Sequence, residues 1–189
     1  MVAWQSIKRW FFGEKKEAVP PMLTLSQKGI DLLKELEGMR SNAYRDSAGN
    51  QTIGIGHKLT QNEILSGLIK IGNEMVYWHE GLNHEQAEIL KKQDSSIVED
   101  EIRKLVDIQL TQNQFDALVC FVFNIGISAF RKSTLLRKIN EGRFREAAAE
   151  FIRWDKVTMA NGKKVRLEGL TNRRQKEARL WLLAAQQMT

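Results

Sequence analysis

The chain has 189 residues, 42% of them hydrophobic, and a formal net charge of +6 at pH 7. This length suits one domain, or two small lobes that share a core, and the apolar content is sufficient to build it. No apolar run approaches the roughly 20 residues of a membrane span, and no N-terminal run reaches the roughly 7 to 15 apolar residues of a secretory signal. We therefore expect a folded, soluble protein made in the cytosol.

Cysteine and histidine usage excludes several kinds of site. The single cysteine, Cys120, lies in an apolar run, so neither a disulfide framework nor a cysteine-based zinc site can be assembled. His79 and His84 lack a recognisable metal-ligand spacing. We predict a buried Cys120, no metal site and no cofactor.

The positive charge is concentrated near the C-terminal end. Residues 153–179 hold nine Lys or Arg against three acids, which equals the whole excess. Such a segment favours a polyanionic partner, which could be nucleic acid, an anionic membrane or a bacterial envelope. The alternative is that the segment is only a solvated basic face. Because charge is the only support for nucleic acid, we predict no nucleic-acid partner.

Residues 1–23 form a separate N-terminal extension, and residues 24–189 form the main domain. Trp4, Trp10 and Phe11 fall on one helical face of the extension, before a Pro-Pro pair ends the pattern. This pattern predicts a short amphipathic helix that contacts an anionic membrane, or one that packs its aromatic side chains on the main domain.

The next stretch predicts a helix followed by a hairpin. Ser26 can cap a helix whose apolar residues recur every three positions, which places Glu37 on its apolar side. Gly38 then supplies the left-handed position that commonly closes a helix. Asp46 lies beside a Ser-Ala-Gly-Asn turn, and Thr52 is in the returning strand. We expect Asp46 and Thr52 close together across a hairpin, with Glu37 half-sheltered at the helix end.

The sequence predicts six further helices, five of them from capping signals, and one more hairpin. One of these helices, at roughly 1.5 Å per residue over roughly 23 residues, spans about 35 Å, which is long enough to join two lobes. The predicted hairpin turns at Asn161-Gly162. The six helices are predicted at residues 61–69, 84–106, 112–123, 134–142, 144–154 and, capped by Thr171 or Asn172, 172–187.

Two carboxylates in unlike surroundings are the usual requirement for hydrolysis of a glycosidic bond. Glu37 on an apolar helix end suits the acid, which must hold a proton, and Asp46 beside a polar turn suits the ionised partner. The hydroxyl of Thr52 could hold a water against Asp46. The alternative is that Asp46 only caps its turn, as carboxylates beside turns usually do.

These residues resemble a known family. Glu37, Asp46 nine positions later and Thr52 six later, followed by Ile-Gly-Ile-Gly-His, are similar to the phage lysozymes (endolysins) related to the bacteriophage T4 enzyme, glycoside hydrolase family 24. Residues 110–126 and 169–174 continue the resemblance, which covers about residues 24–185.

The resemblance implies an α+β, mostly α, lysozyme-like fold, in which a long helix joins a small mixed lobe to a larger helical lobe. It implies a muramidase that cleaves the β-1,4 bond between N-acetylmuramic acid and N-acetylglucosamine in peptidoglycan during host lysis. In this reading Glu37 is the general acid, Asp46 the second carboxylate and Thr52 the water-positioning residue, and the anomeric carbon is inverted.

The resemblance also implies supporting residues. Arg173 matches an arginine that pairs with the catalytic glutamate, and His57 and Asp94 match a structural ion pair. Asn124 and Thr171 are candidate sugar contacts, for which helix capping or core hydrogen bonding is an equal alternative.

Two functional alternatives are a lytic transglycosylase and a non-catalytic protein that binds cell wall or membrane. We expect a monomer that waits in the host cytoplasm and reaches peptidoglycan in the periplasm or cell wall after the membrane is permeabilised.

Overall fold

The computed structural model describes residues 22–46 and 48–183. The amphipathic helix predicted near the N-terminus therefore lies outside the described residues, as does the end of the last predicted helix. Among the described residues, no helix combines the length and hydropathy needed to cross a bilayer.

A first helix and a small mixed region open the described chain. The elements are α1 (Gln27–Glu37), β1 (Arg40–Arg45), β2 (Gln51–Gly54), β3 (His57–Lys58), α2 (Gln61–Ser66), β4 (Leu68–Ile71), β5 (Glu74–Tyr77) and a 3₁₀ turn (Trp78–Glu80). Strands β1, β2 and β3 form an antiparallel sheet in that order, and β4 pairs with β5. A small apolar cluster around Ile53, Ile69 and Trp78 forms the core of this lobe.

Six helices and a two-stranded sheet form the rest. They are α3 (His84–Leu105), α4 (Gln112–Ile125), α5 (Ile127–Arg131), α6 (Thr134–Asn140), α7 (Phe144–Ile152), β6 (Lys156–Thr158), β7 (Lys164–Arg166) and α8 (Glu168–Leu182). The larger apolar cluster lies here, and α1 contributes Ile30 and Leu33 to it. Helix α3 supplies Leu90 to the small core and Ile102 to the large one, so it joins the two lobes as predicted.

Helix α4 is the centre of the helical lobe. It packs against α1, α3 and α8, and its residues from Gln114 to Val122 are all buried. Thr111 and Gln114 form the predicted capping box at its start, with Asn83 and Gln86 doing the same for α3. The side chain of Cys120 is buried, as predicted.

The structure differs from the sequence predictions in several local details. Gly38 has the expected positive φ, 76°, but its ψ is 170°, because the chain leaves α1 directly into an extended strand. The helix predicted over residues 61–69 ends at Ser66, where Gly67 adopts the left-handed conformation and its N–H bonds to Glu63. The residues after Gly67 form the β4–β5 hairpin, which we did not predict.

The last helix begins earlier than predicted. Helix α8 starts at Glu168, so Thr171 and Asn172 lie inside its first two turns and cap nothing. The N–H of Leu167, the residue before the helix, bonds to the carbonyl of Asp155 at 2.9 Å. This tertiary contact fixes the start of α8 in place of a capping side chain. The short helix α5 was also missed.

Candidate active site

Glu37, the last residue of α1, lies between α8 and the hairpin. Its side chain is 24% exposed, and Oε1 accepts a hydrogen bond from Arg173 Nη1 at 2.7 Å. A Cβ added to Gly56 would lie 3.9 Å from Glu37 Oε2, and Gly56 has a φ of 74°. The backbone therefore passes close to the second carboxyl oxygen at a position where glycine is favoured.

The guanidinium of Arg173 is fixed on three sides. Besides Glu37 it donates to Glu177 Oε1 from Nε at 3.0 Å and to the carbonyl of Cys120 from Nη2 at 3.2 Å. Arg173 is 6% exposed, so these bonds form away from water. A charge-assisted network of this kind orients the arginine toward the carboxyl of Glu37.

Glu177 joins two buried arginines behind Glu37. Its Oε2 accepts from Arg174 Nη1 at 2.7 Å, and both side chains are fully buried. Burial raises the pKa of Glu177 to about 7, although the charges of Arg174 and Arg173 oppose this rise. Arg174 also donates to the side-chain oxygen of Asn124. Sequence reasoning missed Glu177, whose only signal was its position four residues after Arg173.

Asp46 has the opposite environment. Its carboxylate accepts hydrogen bonds from the backbone N–H of Ala48 at 2.9 Å and of Asn50 at 2.8 Å. The pKa of Asp46 lies below its ordinary value, chiefly because the side chain and the backbone N–H of Asn50 donate hydrogen bonds to the carboxylate. Ala48 and the charge of Lys58 add smaller contributions, and burial acts in the opposite direction. Asp46 is thus ionised at neutral pH. It does cap its turn, as the alternative reading expected.

Asn50 links Asp46 to Thr52. The side-chain nitrogen of Asn50 donates to Asp46 Oδ2 at 2.9 Å, and the backbone carbonyl of Asn50 accepts from the Thr52 hydroxyl at 3.2 Å. Thr52 is 2% exposed and pairs with Tyr44 across β1 and β2. Sequence reasoning placed Asn50 in the turn but missed this linking role, which Asx-turn chemistry could have indicated.

His57 connects the hairpin to two helices. Its Nδ1 lies 3.0 Å from both carboxylate oxygens of Asp94 on α3, and its Nε2 lies 3.2 Å from Glu63 Oε2 on α2. Burial alone would lower the pKa of His57, but the hydrogen bond and charge of Asp94, together with Glu63, outweigh it and raise that pKa. Glu63 was not predicted as a partner, because its sequence signal was only that of a capping box.

The two candidate sugar contacts are bonded inside the protein. The Thr171 hydroxyl lies 3.3 Å from Asp155 Oδ2 and 3.2 Å from the carbonyl of Leu167. The side-chain oxygen of Asn124 accepts from Arg174. Within the described part of the chain, neither residue bonds to Glu37 or Asp46. Across residues 22–46 and 48–183, no group of three or more His, Cys, Asp or Glu side chains is placed to hold a metal ion.

A half-buried carboxyl lies on a helix end, and an ionised carboxylate lies beside a hairpin, between a small sheet and a helical core. This arrangement is the one expected of a lysozyme-like glycosidase. The family model for phage lysozyme matches residues 34–177. The chain therefore belongs to the phage lysozyme family.

Individual relatives agree with this assignment. The endolysin of Acyrthosiphon pisum secondary endosymbiont phage 1 is 41% identical over 157 residues, which is 83% of this chain and 97% of that protein. The endolysin of Salmonella phage P22 is 41% identical over 138 residues, covering 72% and 86% of the two chains. Among solved structures, the muramidase domain of SpmX from Asticaccaulis excentricus matches with a TM-score of 0.70 and 36% identity, over 85% of this chain and 98% of that one.

The predicted fold class, α+β and mostly α, is confirmed. The chain is a lysozyme-type glycoside hydrolase of the endolysin group and acts on peptidoglycan.

Proposed function

We propose that the domain spanning residues 24–189 hydrolyses the β-1,4 bond between N-acetylmuramic acid and N-acetylglucosamine, as a monomer and without a cofactor. Glu37 is the general acid, Asp46 the second carboxylate and Thr52 the water-positioning residue. The observation that carries the proposal is the contrast between the two carboxyl groups. One is half-buried beside an arginine, and the other is held ionised by its turn.

Glu37 suits the acid because its surroundings leave one oxygen free for the substrate. Arg173 occupies Oε1 at 2.7 Å, so Oε2, which faces the backbone of Gly56, is the oxygen that delivers the proton to the departing sugar. The buried contacts of Arg173 to Glu177 and Cys120 keep the carboxyl in one orientation. His57 and Asp94 act structurally in this proposal, by tying the hairpin to α3.

Asp46 and Thr52 supply the second half of the reaction. The ionised carboxylate accepts a proton from a water molecule, and the Thr52 hydroxyl, anchored by the Asn50 carbonyl, holds that water. Attack from the face opposite to the leaving group inverts the anomeric carbon. We also propose that Asn124 and Thr171 border the sugar-binding region. The support for these two residues is weaker, because both side chains make hydrogen bonds within the protein.

The alternatives are less well supported. A lytic transglycosylase needs the acid but no hydrolytic water, and the endolysin and muramidase relatives do not favour it. A non-catalytic wall-binding protein would need neither of the two contrasting carboxyl groups. We also propose a role in host lysis, which the relatives named as endolysins support. In this proposal the enzyme stays in the host cytoplasm until the membrane is permeabilised.

Analysis of the digestion products tests the reaction. Purified peptidoglycan treated with the protein should yield fragments with reducing N-acetylmuramic acid ends, and an early NMR spectrum should contain the α-anomer in excess. Anhydro-muramic ends would contradict hydrolysis, and an initial excess of the β-anomer would contradict inversion. When the protein is added from outside to bacteria that have an outer membrane, it should lyse them only after that membrane has been permeabilised.

We further propose that the extension, residues 1–23, contacts an anionic membrane through Trp4, Trp10 and Phe11. The alternative is packing of these aromatic side chains on the main domain. An apolar pocket of about 380 Å³ is available for that packing where the described chain begins, next to Met22 and Leu23. Lys8 and Arg9 lie between the aromatic residues, and Lys15 and Lys16 follow them, which suits anionic lipid. Glu14 and Glu17 reduce the net charge of the segment to +2, so the aromatic residues are the main argument for membrane contact.

Vesicle co-sedimentation distinguishes these two roles. The full chain should sediment with vesicles that contain anionic lipid. A chain that lacks residues 1–21, but keeps Met22 and Leu23 at the pocket, should not. Neutral vesicles serve as the control and should retain little of either form. Equal sedimentation of both forms with anionic vesicles would support packing instead.

A further inference from the structure

Tyr44 lies on the same face of the small sheet as Thr52. The two residues are direct partners across β1 and β2, and the side chains of such partners lie on one face with Cβ atoms roughly 4.5 to 5.5 Å apart. Their neighbours Ala43 and Ile53 point to the opposite face, where both pack in the core of the small lobe. The side chain of Tyr44 is therefore directed away from that core and toward the proposed water site.

The two cross-strand partners of Thr52 form the exposed surface next to it. Thr52 itself is only 2% exposed. Its partner on β3 is Lys58, whose side chain is 65% exposed, and its partner on β1 is Tyr44, which is half-buried. The Nζ of Lys58 lies 3.7 Å from Asp46 Oδ2. A glycan chain that reaches the Thr52 hydroxyl thus meets a charged side chain on one side and an aromatic ring on the other.

Arg40 orients the ring of Tyr44. The guanidinium carbon lies 4.4 Å from the ring centroid, which is within the range of a cation–π contact. The register of β1 against β2 shifts between these two residues, and irregularities of this kind turn side chains toward a site. Within the described part of the chain, Tyr44 is not among the residues that form or pack against either apolar core. Core packing therefore does not account for an aromatic residue at this position.

We propose that Tyr44 is a substrate-binding residue, whose exposed ring surface packs against an N-acetylated pyranose ring of the glycan chain beside Thr52. The inference rests on the proposed function of the site. One face of a pyranose ring presents C–H groups, which suit an aromatic surface, while its polar substituents remain free for hydrogen bonds. Because Arg40 holds the tyrosine ring in place, less side-chain freedom is lost when the sugar binds.

The first test is steady-state hydrolysis of soluble glycan chains of alternating N-acetylglucosamine and N-acetylmuramic acid. Tyr44→Ala should raise KM by about tenfold, the size expected for loss of an aromatic contact. Its kcat should stay within about twofold of the wild type, because the contact is made equally in the ground state and the transition state. Tyr44→Phe keeps the ring and should have a KM within about threefold of the wild type.

Tyr77→Ala is the matched control. Tyr77 lies on β5 of the same lobe and is 58% exposed, so its replacement removes the same ring from a position outside the proposed site. This variant should keep the KM of the wild type. An unchanged KM for Tyr44→Ala would overturn the proposal. A fall in kcat at unchanged KM would also overturn it, because Tyr44 would then support the hairpin and not the sugar.

A double-mutant cycle tests the part assigned to Arg40. Arg40→Gln should raise KM by roughly twofold to threefold in the wild type, since the ring loses its cation, and should have no effect in Tyr44→Ala, where there is no ring to hold. An equal effect in both backgrounds would overturn the orienting role. Tyr44→Leu, which keeps apolar bulk without an aromatic face, replaces the alanine variant if that protein does not fold, and should also raise KM.

The outcomes separate this inference from the proposed function. If Glu37→Gln keeps its activity, the assignment of the general acid fails, but the Tyr44 variants carry the native Glu37 and their KM values still decide the role of Tyr44. If Glu37→Gln is inactive and Tyr44→Ala keeps the KM of the wild type, only the inference about Tyr44 fails.

Discussion

Glu37→Gln should reduce turnover of peptidoglycan by about 10³-fold, within the range of general acid catalysis. Glutamine has nearly the same shape as glutamate, and its side-chain oxygen can still accept the 2.7 Å hydrogen bond from Arg173. It has no acidic proton to give to the leaving oxygen. The fold should persist, because the guanidinium of Arg173 keeps its bonds to Glu177 and Cys120. The measurement is the rate of release of reducing ends, with circular dichroism to verify folding.

Glu35→Gln is the matched control for this variant. Glu35 lies two positions earlier on the same helix, its side chain is 58% exposed, and it pairs with Lys176 on the surface. Its replacement makes the same chemical change away from the site and should leave turnover unchanged. If Glu37→Gln retains more than about a tenth of the activity, the loss of rate is smaller than the loss expected on removal of a general acid, and the assignment is contradicted. An equal loss in both variants would point to a general sensitivity of α1.

The helix starts that the sequence predicted correctly depend on contacts between close neighbours. A capping box needs only two residues three positions apart, so Asn83 with Gln86 and Thr111 with Gln114 are visible without knowledge of the fold. The hairpin at Asn161-Gly162 is equally local, since Gly162 supplies the positive φ of 78° that the turn requires.

The elements that the sequence missed depend on more distant contacts or on competing patterns. The helix predicted over residues 61–69 has a correct capping start, but Gly67 ends it, and the alternation that follows was overlooked. In that alternation Ile69 and Ile71 are buried and Lys70 is exposed, which is typical of a strand. The start of α8 is set by the Leu167 to Asp155 bond, which has no sequence signature.

The same division applies to the candidate site. Glu37, Asp46 and Thr52 belong to a compact motif, which is why spacing and resemblance together could select them as candidates. Lys91 stands in a Lys-Lys pair that indicates a solvated helix face, yet its side chain is buried against the ring of Phe123 on α4. Burial of this kind is set by tertiary packing, and a motif does not contain that information.

Glu177→Ala should produce the largest loss of stability, about 3 to 5 kcal/mol in the free energy of unfolding, as expected when one partner of a buried ion pair is removed. The variant leaves Arg173 without the partner of its Nε and Arg174 without the partner of its Nη1, both deep in the protein. Urea unfolding at pH 8 is the measurement, because Glu177, with a pKa of about 7, is then mostly ionised.

The control and a milder variant separate charge from packing. Glu146→Ala removes an exposed glutamate that pairs with Arg143 at the surface, and the urea midpoint should hardly change because solvent screens such pairs. Glu177→Gln keeps the shape and one hydrogen-bond acceptor, so its loss should be intermediate. Activity should fall more than stability alone explains, because Arg173 would no longer be held toward Glu37. If Glu177→Ala unfolds at the wild-type urea concentration, the two arginines do not depend on Glu177, and the orientation of Glu37 must come from α1 and the hairpin instead.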